Sequence, residues 1–257
     1  MFLPFRSKQL VWSSFDLLLR ECKPSRLVSC FSVFPYRTLH NAIPTGDKEA
    51  ETKRVRIYTR TGDKGKSSLL TGERRPKDDA VFEVLGTIDE LNAHIGLAVA
   101  HCRCIKTPGF VAKLENIQST LFDIGAVIAS HSTRPDKIRG NLEISTFRFD
   151  QSKVSELETW IDEFEGSLPA LRNFILPSGG LASAQLHVTR AVGRRAERRF
   201  WTAFQHTLPI IQDLKDQVET LQHIGQYLNR LGDLLFVAAR LAAQETGNPE
   251  VLYKKPG

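Results

Sequence analysis

Apolar residues recur at intervals of three and four positions along five stretches of the chain, and this periodicity constrains the fold more than any other feature. In the last stretch a seven-residue repeat is carried by Leu214, Leu221, Leu228, Leu235 and Ala242. A helix with one apolar stripe is stable in water when that stripe packs on other helices. The sequence therefore predicts an all-α fold, a five-helix antiparallel bundle. Strand and helix patterns do not alternate, which excludes a Rossmann or P-loop sheet.

Capping and helix-breaking residues predict the helix ends. In chain order, the helices are expected to begin at Asp78 or Asp79, at Phe110, at Asp150, after the Pro177–Gly180 segment and near Asp213. The second, fourth and fifth are expected to end near Ile128, Phe204 and Gly247. A short β-branched piece is expected at 55–59, and a long irregular loop at 132–149.

The chain divides by composition into five parts. Residues 1–39 hold six basic residues, two acidic residues and six serines, which is typical of a mitochondrial transit peptide. Import into the mitochondrial matrix is therefore predicted, with cleavage after Leu39; a plain disordered N-terminus and a plastid address are the alternatives. The other parts are a polar linker (40–53), an irregular N-terminal segment (54–79), the helical bundle (80–247) and a C-terminal tail (248–257).

Charge and hydropathy argue against nucleic-acid binding and against a membrane span. The net charge is +6, of which residues 1–39 carry +4, so the basic pI gives no support for binding of nucleic acid. The uncharged apolar run from Leu234 ends at Ala239, far short of the roughly 20 residues of a membrane span. No integral membrane protein is predicted.

The sequence shows no motif for a metal site or for a catalytic nucleophile. Its seven histidines form no H-E-x-x-H and no E-x-x-H pattern, and no Ser-His-Asp or Cys-His arrangement is indicated. Cys102 and Cys104 are too close for an easy disulfide, and are expected to be free thiols.

The first candidate site is the Gly-, Thr- and Ser-rich stretch 58–68. Gly62 and Gly65 let backbone N–H groups turn inward, and the hydroxyl and ammonium groups nearby add donors for a polyanion. Its end imitates a Walker A motif, but Arg60 stands where that motif requires glycine. A phosphate cradle of another kind and a solvated turn both remain open at this point.

The second candidate site is a row of arginines on the fourth helix. Arg190, Arg194 and Arg198 are spaced four apart and share one face, and Glu197 is the one acid among them. Guanidinium groups suit phosphate oxygens, although a solvated face and RNA binding are alternatives. On the fifth helix, Asn229 and Asp233 lie one turn apart, which alone indicates a surface pair.

Three blocks of the sequence resemble the PduO-type ATP:cob(I)alamin adenosyltransferases, in particular the animal mitochondrial members. They are the segment from Arg56 to Asp79, continuing to Asn92; the segment from Phe174 to Gly180, followed by 190–198; and the segment from Tyr227 to Phe236. The resemblance implies a bundle that assembles as a homotrimer with active sites between subunits. It also implies the reaction: cob(I)alamin attacks C5′ of ATP, adenosylcobalamin forms and triphosphate leaves.

The resemblance also implies roles for individual residues. The positions that match ATP contacts are Thr59, Arg60, Thr61, Gly62, Ser67, Ser68, Lys77, Arg194, Glu197, Arg198 and Asn229. Arg194, Lys77 and Phe174 match catalytic positions, the arginine and lysine at the leaving triphosphate and the phenylalanine at the lower face of the corrin. Asp89 and Arg190 match a pair that bridges subunits, and Asp233 is grouped with them in support of the interface and corrinoid.

The implied substrates are ATP with Mg²⁺ and cob(II)alamin or cob(I)alamin, and no protein metal site is expected. A cobalamin reductase and methylmalonyl-CoA mutase are the expected partners, the mutase as acceptor of the product. The alternative function is a catalytically weak cobalamin carrier of the same fold that delivers cofactor to a mutase. The sequence departs from the family pattern at Lys66, Gly193 and Gly232.

Overall fold

The computed structural model describes residues 58, 60–130, 148–212 and 214–255 of the 257. Within these residues there are five helices, α1 (Ala80–His101), α2 (Phe110–Ser130), α3 (Ser152–Glu165), α4 (Gly180–Phe204) and α5 (Lys215–Glu245). Two small sheets accompany them, built from β1 (Lys66–Ser68), β2 (Arg74–Pro76), β3 (Ile175–Leu176) and β4 (Val251–Leu252). The predicted all-α, five-helix bundle is confirmed.

Side-chain caps fix the starts of two helices. The Asp79 carboxylate accepts a hydrogen bond from Val81 N (3.0 Å) and satisfies one of the free N–H groups of α1. The Asp150 carboxylate accepts one from Ser152 N (2.8 Å) at the start of α3, and this bond lowers the pKa of Asp150. Both aspartates were predicted as caps from the sequence.

The apolar stripes meet in one core. α4 packs against both α1 and α5, α2 packs against α1, and α3 packs against α5. The seven-residue repeat on α5 lies in this core: Leu221, Leu228, Leu235 and Ala242 are buried, and Leu214 is half-buried just before the helix. α4 therefore lies between α1 and α5, and the side chains on its remaining faces are available to a ligand.

The strands were not predicted at these positions. β1 pairs antiparallel with β2, and β3 pairs antiparallel with β4, so that the C-terminal tail returns to the segment before α4. Strands of two or three residues carry no periodicity that a sequence pattern can reveal. The strand expected at 55–59 lies outside the described residues except for Tyr58, which is irregular.

Several other predictions concern residues that are not described. The transit peptide (1–39), the linker (40–53), Asp213 and most of the loop expected at 132–149 lie outside the described residues. Of the loop expected at 132–149, residues 148 and 149 are described. Phe149 is buried, and its ring lies edge-on to the ring of Tyr227. In the described part of the chain, no helix has the length and apolar character needed to cross a membrane.

Candidate active site

The arginines of α4 divide into two groups. Arg195 forms an ion pair with Glu90, and Arg199 forms one with Glu83 (3.3 Å), both on α1. Arg190, Arg194 and Arg198 have no carboxylate within ion-pair distance among the described residues. The row spaced by four therefore differs from its neighbours in charge compensation, as expected for groups that await an anion.

A cleft of about 700 Å³ opens beside this row, between α3, α4 and α5. Its lining includes Arg190, Arg194, Arg230 and Asp233, together with the aromatic rings of Phe174 and Phe236. Such a mixture of apolar walls and a few charged groups is typical of a site for a large organic ligand. The cleft brings together four residues that the sequence analysis singled out: Phe174, Arg190, Arg194 and Asp233.

Glu197 and Asn229 are brought together at the edge of the arginine row. Asn229 Nδ2 donates a hydrogen bond to Glu197 Oε1 (2.9 Å), which joins α5 to α4. Arg198 Nη1 donates to the backbone oxygen of Arg194 (3.1 Å), so the two guanidinium-bearing residues adjoin. Arg194, Arg198 and Asn229 are exposed, and Glu197 is half-buried. These four residues form one polar surface that a phosphate or ribose can reach.

Phe174 stands at the rim of the cleft with 83% of its surface exposed. A phenylalanine so exposed loses the free energy that burial would provide, about 1.5–3 kcal/mol. It lies directly before β3, and its backbone oxygen accepts a hydrogen bond from Tyr253 N (2.8 Å). The backbone is thus held while the ring is free to contact a ligand.

The N-terminal segment forms a second polar surface. Gly65 N donates to Gly62 O (3.2 Å), and Lys77 N donates to Gly65 O (3.0 Å). The Lys77 ammonium lies so near Gly62 that a Cβ there would be 3.3 Å from it. Arg60 adopts a left-handed backbone conformation (φ 59°), and its guanidinium lies 5.3 Å from the centre of the Tyr58 ring. Thr59 lies outside the described residues.

A buried ion pair ties the hairpin of β1 and β2 to the bundle. Arg75 is 1% exposed and contacts Glu73 (2.9 Å) and the α1 cap Asp79 (3.4 Å). On the outer side, Arg74 Nη2 donates to Thr61 O (2.7 Å). Ser67 and Ser68 lie on β1, half-buried, within the same hairpin. The predicted residues 61–77 therefore form one ordered unit at the start of α1.

The 700 Å³ cleft is formed without the described residues of the N-terminal segment. The described lining of the 700 Å³ cleft contains no residue of the N-terminal segment. Asp89 lines a separate small cavity with Asn92 and Phe122, and it makes no ion pair with Arg190. The cleft thus contains one part of the predicted site, and the N-terminal segment carries another.

The sequence analysis assigned no role at the site to three residues that line the cleft, Glu158, Arg230 and Phe236. Arg230 forms ion pairs with Glu158 (3.1 Å) and Asp233 (3.0 Å) and so links α5 to α3 across the cleft. Arg230 lies within the Asn229–Asp233 segment that the sequence singled out, but Glu158 is 72 positions away and gave no signal. Phe236, which stacks with Arg190 at 5.7 Å, has the spacing of an ordinary core residue.

Behind the cleft, His187 is 5% exposed, and its Nδ1 has no hydrogen-bond partner among the described residues. Its ring meets Phe236 edge-on with centroids 6.0 Å apart. Burial, together with the nearby charge of Arg190, lowers the pKa of His187 below its ordinary value. The imidazole is therefore neutral at pH 7 and forms part of the wall that supports Phe236.

The described residues contain no group of three or more His, Cys, Asp or Glu side chains that could hold a metal ion. Cys102 and Cys104 are free, as predicted, and burial raises the pKa of Cys102 to about 12.

A row of available arginines, a glycine-rich cationic segment and an exposed aromatic ring on a helical bundle suit an enzyme that binds a polyphosphate and a large organic ligand. The sequence pattern described as cobalamin adenosyltransferase matches residues 57–242, and the chain belongs to that family.

Individual relatives agree with this assignment. The corrinoid adenosyltransferase MMAB of Bos taurus is 44% identical over 92% of this chain and 92% of its own length. That of Homo sapiens is 44% identical over 83% of this chain and 80% of its own. A variant of the PduO-type ATP:corrinoid adenosyltransferase from Lactobacillus reuteri, solved with cobalamin and ATP, superposes with a TM-score of 0.64 at 31% identity, covering 78% of this chain and 100% of that chain.

Proposed function

We propose that the chain transfers the 5′-deoxyadenosyl group of ATP to cob(I)alamin, forming adenosylcobalamin and releasing triphosphate. The observation that carries the proposal is the row of Arg190, Arg194 and Arg198, which lacks carboxylate partners among the described residues and borders a 700 Å³ cleft with Phe174 on its rim. The family and the relatives with cobalamin and ATP support the same reaction.

In the proposed reaction the nucleophile belongs to the substrate. Co(I) supplies an electron pair that forms the bond from cobalt to C5′ of ATP, the bond from C5′ to the triphosphate oxygen breaks, and triphosphate leaves with the electron pair of that broken bond. Negative charge grows on the leaving oxygen, and cations fixed beside it lower the barrier because they interact more strongly with the transition state than with ATP. We assign Arg194 and Lys77 to this role.

The ATP site is proposed to combine both polar surfaces. Thr59, Arg60, Thr61, Gly62, Ser67 and Ser68 would contact ATP from the N-terminal segment, and Glu197, Arg198 and Asn229 from the helices. Glu197 already accepts a hydrogen bond from Asn229 (2.9 Å), so both side chains are oriented before a ribose hydroxyl arrives. Mg²⁺ would enter as the counterion of ATP.

Phe174 is proposed to occupy the lower face of the corrin. An apolar ring there excludes water and the axial base, so that cobalt becomes four-coordinate and easier to reduce. The 83% exposure of Phe174 fits this role because a contact with a large flat ligand would bury it. Arg190 and Asp233 lie in the same cleft and would support the corrinoid.

The assembly is proposed to be a homotrimer in which sites form between subunits. The N-terminal segment of one chain would then cover the arginine row of another, which agrees with its absence from the described lining of the cleft in one chain. Exposed apolar residues on α1 and α4 are available for contact: Leu97 (47% exposed), Leu181 (75%) and Val188 (47%). Asp89 would pair with Arg190 across that interface.

The protein is proposed to work in the mitochondrial matrix. The composition of residues 1–39 supports import. A cobalamin reductase would supply the electron for Co(I), and methylmalonyl-CoA mutase would accept the product.

An anaerobic absorbance assay tests the reaction. Residues 40–257 are mixed with chemically reduced cob(I)alamin and MgATP, and the loss of the Co(I) band and the release of triphosphate are followed. We expect one triphosphate for each cobalamin consumed. Tight cobalamin binding without triphosphate would instead indicate the cobalamin carrier, and no binding of either ligand would contradict both functions.

A further inference from the structure

The C-terminal residues 250–253, which we name the C-terminal clamp, hold the backbone that carries Phe174. Ile175 pairs with Leu252 and Leu176 with Val251 in the antiparallel sheet of β3 and β4. The pairing extends to Phe174 itself, because Tyr253 N donates to Phe174 O (2.8 Å). The clamp therefore reaches the residue whose ring stands at the cleft.

Two further contacts fasten the clamp to the bundle. Arg240 on α5 is 5% exposed; its Nε contacts Glu250 Oε1 (3.2 Å), and its Nη2 donates to Pro169 O (2.9 Å). A buried guanidinium with a carboxylate and a carbonyl as partners is held in a narrow range of positions. Val251 N donates to Ser178 Oγ (2.9 Å), immediately before α4.

The segment that the clamp holds has few other constraints. Residues 166–179 connect α3 to α4, and β3 is the one element of regular structure in this connection. The Phe174 ring is 83% exposed, so packing of its own side chain does not fix it. In the absence of the clamp, the ligand would have to order the backbone of this segment as well as the ring, at a further cost in conformational entropy.

We propose that the C-terminal clamp is a positioning element for Phe174, which fixes the backbone that carries this ring before the corrinoid binds. The inference rests on the proposed function, because it takes the cleft as the corrinoid site. The clamp acts through backbone hydrogen bonds and touches neither substrate. Its loss is expected to affect the coordination of cobalt and to leave the affinity for ATP unchanged.

Two proline substitutions separate the clamp from general effects on the tail. Hydrogen-bonded and non-hydrogen-bonded positions alternate in an antiparallel pair, so the Leu252 N–H points away from β3 while the Tyr253 N–H points toward it. Tyr253→Pro removes the donor to Phe174 O. Leu252→Pro introduces the same ring one residue earlier without removing that bond, and is the matched control.

The measurements compare cobalt coordination and turnover in the full chain. The four-coordinate fraction of cob(II)alamin with ATP bound is measured by electron paramagnetic resonance, and turnover is measured from cob(II)alamin with a reductant. We expect Tyr253→Pro to lower both at least fivefold, with the ATP dissociation constant within twofold of the unmodified chain. Leu252→Pro is expected to stay within twofold in all three measurements.

A double-mutant cycle with Phe174→Ala distinguishes positioning from loss of structure. If the clamp acts through the ring, Tyr253→Pro has no further effect once the ring is absent. An undiminished effect in the Phe174→Ala background would overturn the proposal, as would equal effects of the two prolines. If Tyr253→Pro lowers the melting temperature more than Leu252→Pro does, Ser178→Ala is used in place of Tyr253→Pro. Ser178→Ala removes the hydroxyl that accepts from Val251 N, and it is expected to lower the four-coordinate fraction at least twofold. An unchanged four-coordinate fraction in Ser178→Ala would overturn the proposal.

Failure of the proposed function and failure of the clamp proposal give different results. An unmodified chain that produces no adenosylcobalamin from pre-reduced cob(I)alamin contradicts the transferase. The four-coordinate fraction still reports on the clamp in that case, because it requires binding and not turnover.

Discussion

Arg194 is the residue whose loss is expected to reduce turnover most directly. It lines the cleft, is exposed and has no carboxylate partner among the described residues. We expect Arg194→Ala to lower kcat by about 10²–10³, the usual effect of removing one fixed donor at a developing negative charge. Turnover from pre-reduced cob(I)alamin measures this, and sedimentation shows whether the assembly is unchanged.

Arg199→Ala is the matched control, because it lies on the same helix and has a surface partner, Glu83 (3.3 Å). An exposed ion pair of this kind contributes about 0–1 kcal/mol, so turnover is expected to stay within a fewfold of the unmodified chain. Equal losses in the two variants would remove the special role of Arg194.

His187 makes the stability of the chain depend on pH. The pKa of His187 is 6.5 in the unfolded chain and lower in the folded chain. At a pH between these two values, the unfolded chain therefore binds more protons than the folded chain. The stabilisation is complete above pH 6.5 and is lost as the pH falls through the folded-state value. We expect the melting temperature to fall between pH 7.5 and pH 5.5, and His187→Gln to reduce that slope.

His206→Gln controls for the loss of an imidazole at an exposed position. Glu245 does not complicate this range: burial favours a higher pKa, but hydrogen bonds from Thr107 and the backbone of Lys106 outweigh it and lower the pKa below 4.5. Its stabilisation is therefore lost only below about pH 4.5. A slope that His187→Gln leaves unchanged would contradict the prediction.

At the residue scale, the sequence predicted the spacing of the arginines on α4 but did not predict which of them form ion pairs. Intervals of four placed Arg190, Arg194 and Arg198 on one face. The partners of Arg195 and Arg199 are Glu90 and Glu83 on α1, more than 100 positions earlier. Pairing over such distances depends on how helices pack, which a local pattern does not contain.

At the scale of the element, two glycines of α5 are expected to respond oppositely to substitution by alanine. A Cβ on Gly225 would overlap the Trp201 ring of α4, whereas one on Gly232 would lie 3.7 Å from Arg194 Cγ, an ordinary contact. We expect Gly225→Ala to destabilise the chain by about 1–3 kcal/mol, because the two helices must separate. Gly232→Ala is expected to stabilise it by up to about 1 kcal/mol through helix propensity.

Denaturant unfolding of both variants measures this difference. The two substitutions are chemically identical and lie on the same helix, so each is a control for the other. The same sign of change in both would mean that close approach at Gly225 does not determine the packing of α4 on α5.

Helices and strands differed in how far the sequence predicted them. Caps such as Asp79, and apolar intervals of three and four, are local, and the helix ends they indicated agree with the structure to within a few residues. The pairing of β3 with β4 joins residues 175–176 to residues 251–252. Each strand is too short for a local signal, so this pairing emerges only from the tertiary structure.

At the scale of the whole molecule, the proposed site is divided over two surfaces of one chain. The arginine row faces the cleft, while Lys77 and the N-terminal segment lie at the start of α1. The resemblance places these residues in one site, whereas the described lining of the 700 Å³ cleft includes Arg190 and Arg194 but no residue of the N-terminal segment. The proposed homotrimer would complete the site, and its proposed contact between Asp89 and Arg190 can be tested.

Asp89→Asn tests this contact with little change in shape. The substitution removes the charge that is proposed to meet Arg190 of a neighbouring subunit, and the arginine then lies in the interface without a counterion. We expect the dissociation constant of the assembly or of the corrinoid to rise at least tenfold, which corresponds to about 1.4 kcal/mol. Sedimentation velocity at several concentrations measures the first, and titration with cob(II)alamin measures the second.

Glu90→Gln is the control, because Glu90 is adjacent in sequence but already pairs with Arg195 of its own chain. It removes the same charge from α1 at a partly exposed position, where the loss of an ion pair costs about 0–1 kcal/mol. If only Asp89→Asn weakens assembly or corrinoid binding, the charge acts between subunits. If neither constant changes in Asp89→Asn, the pairing with Arg190 is wrong, and the two surfaces must meet through contacts other than this ion pair.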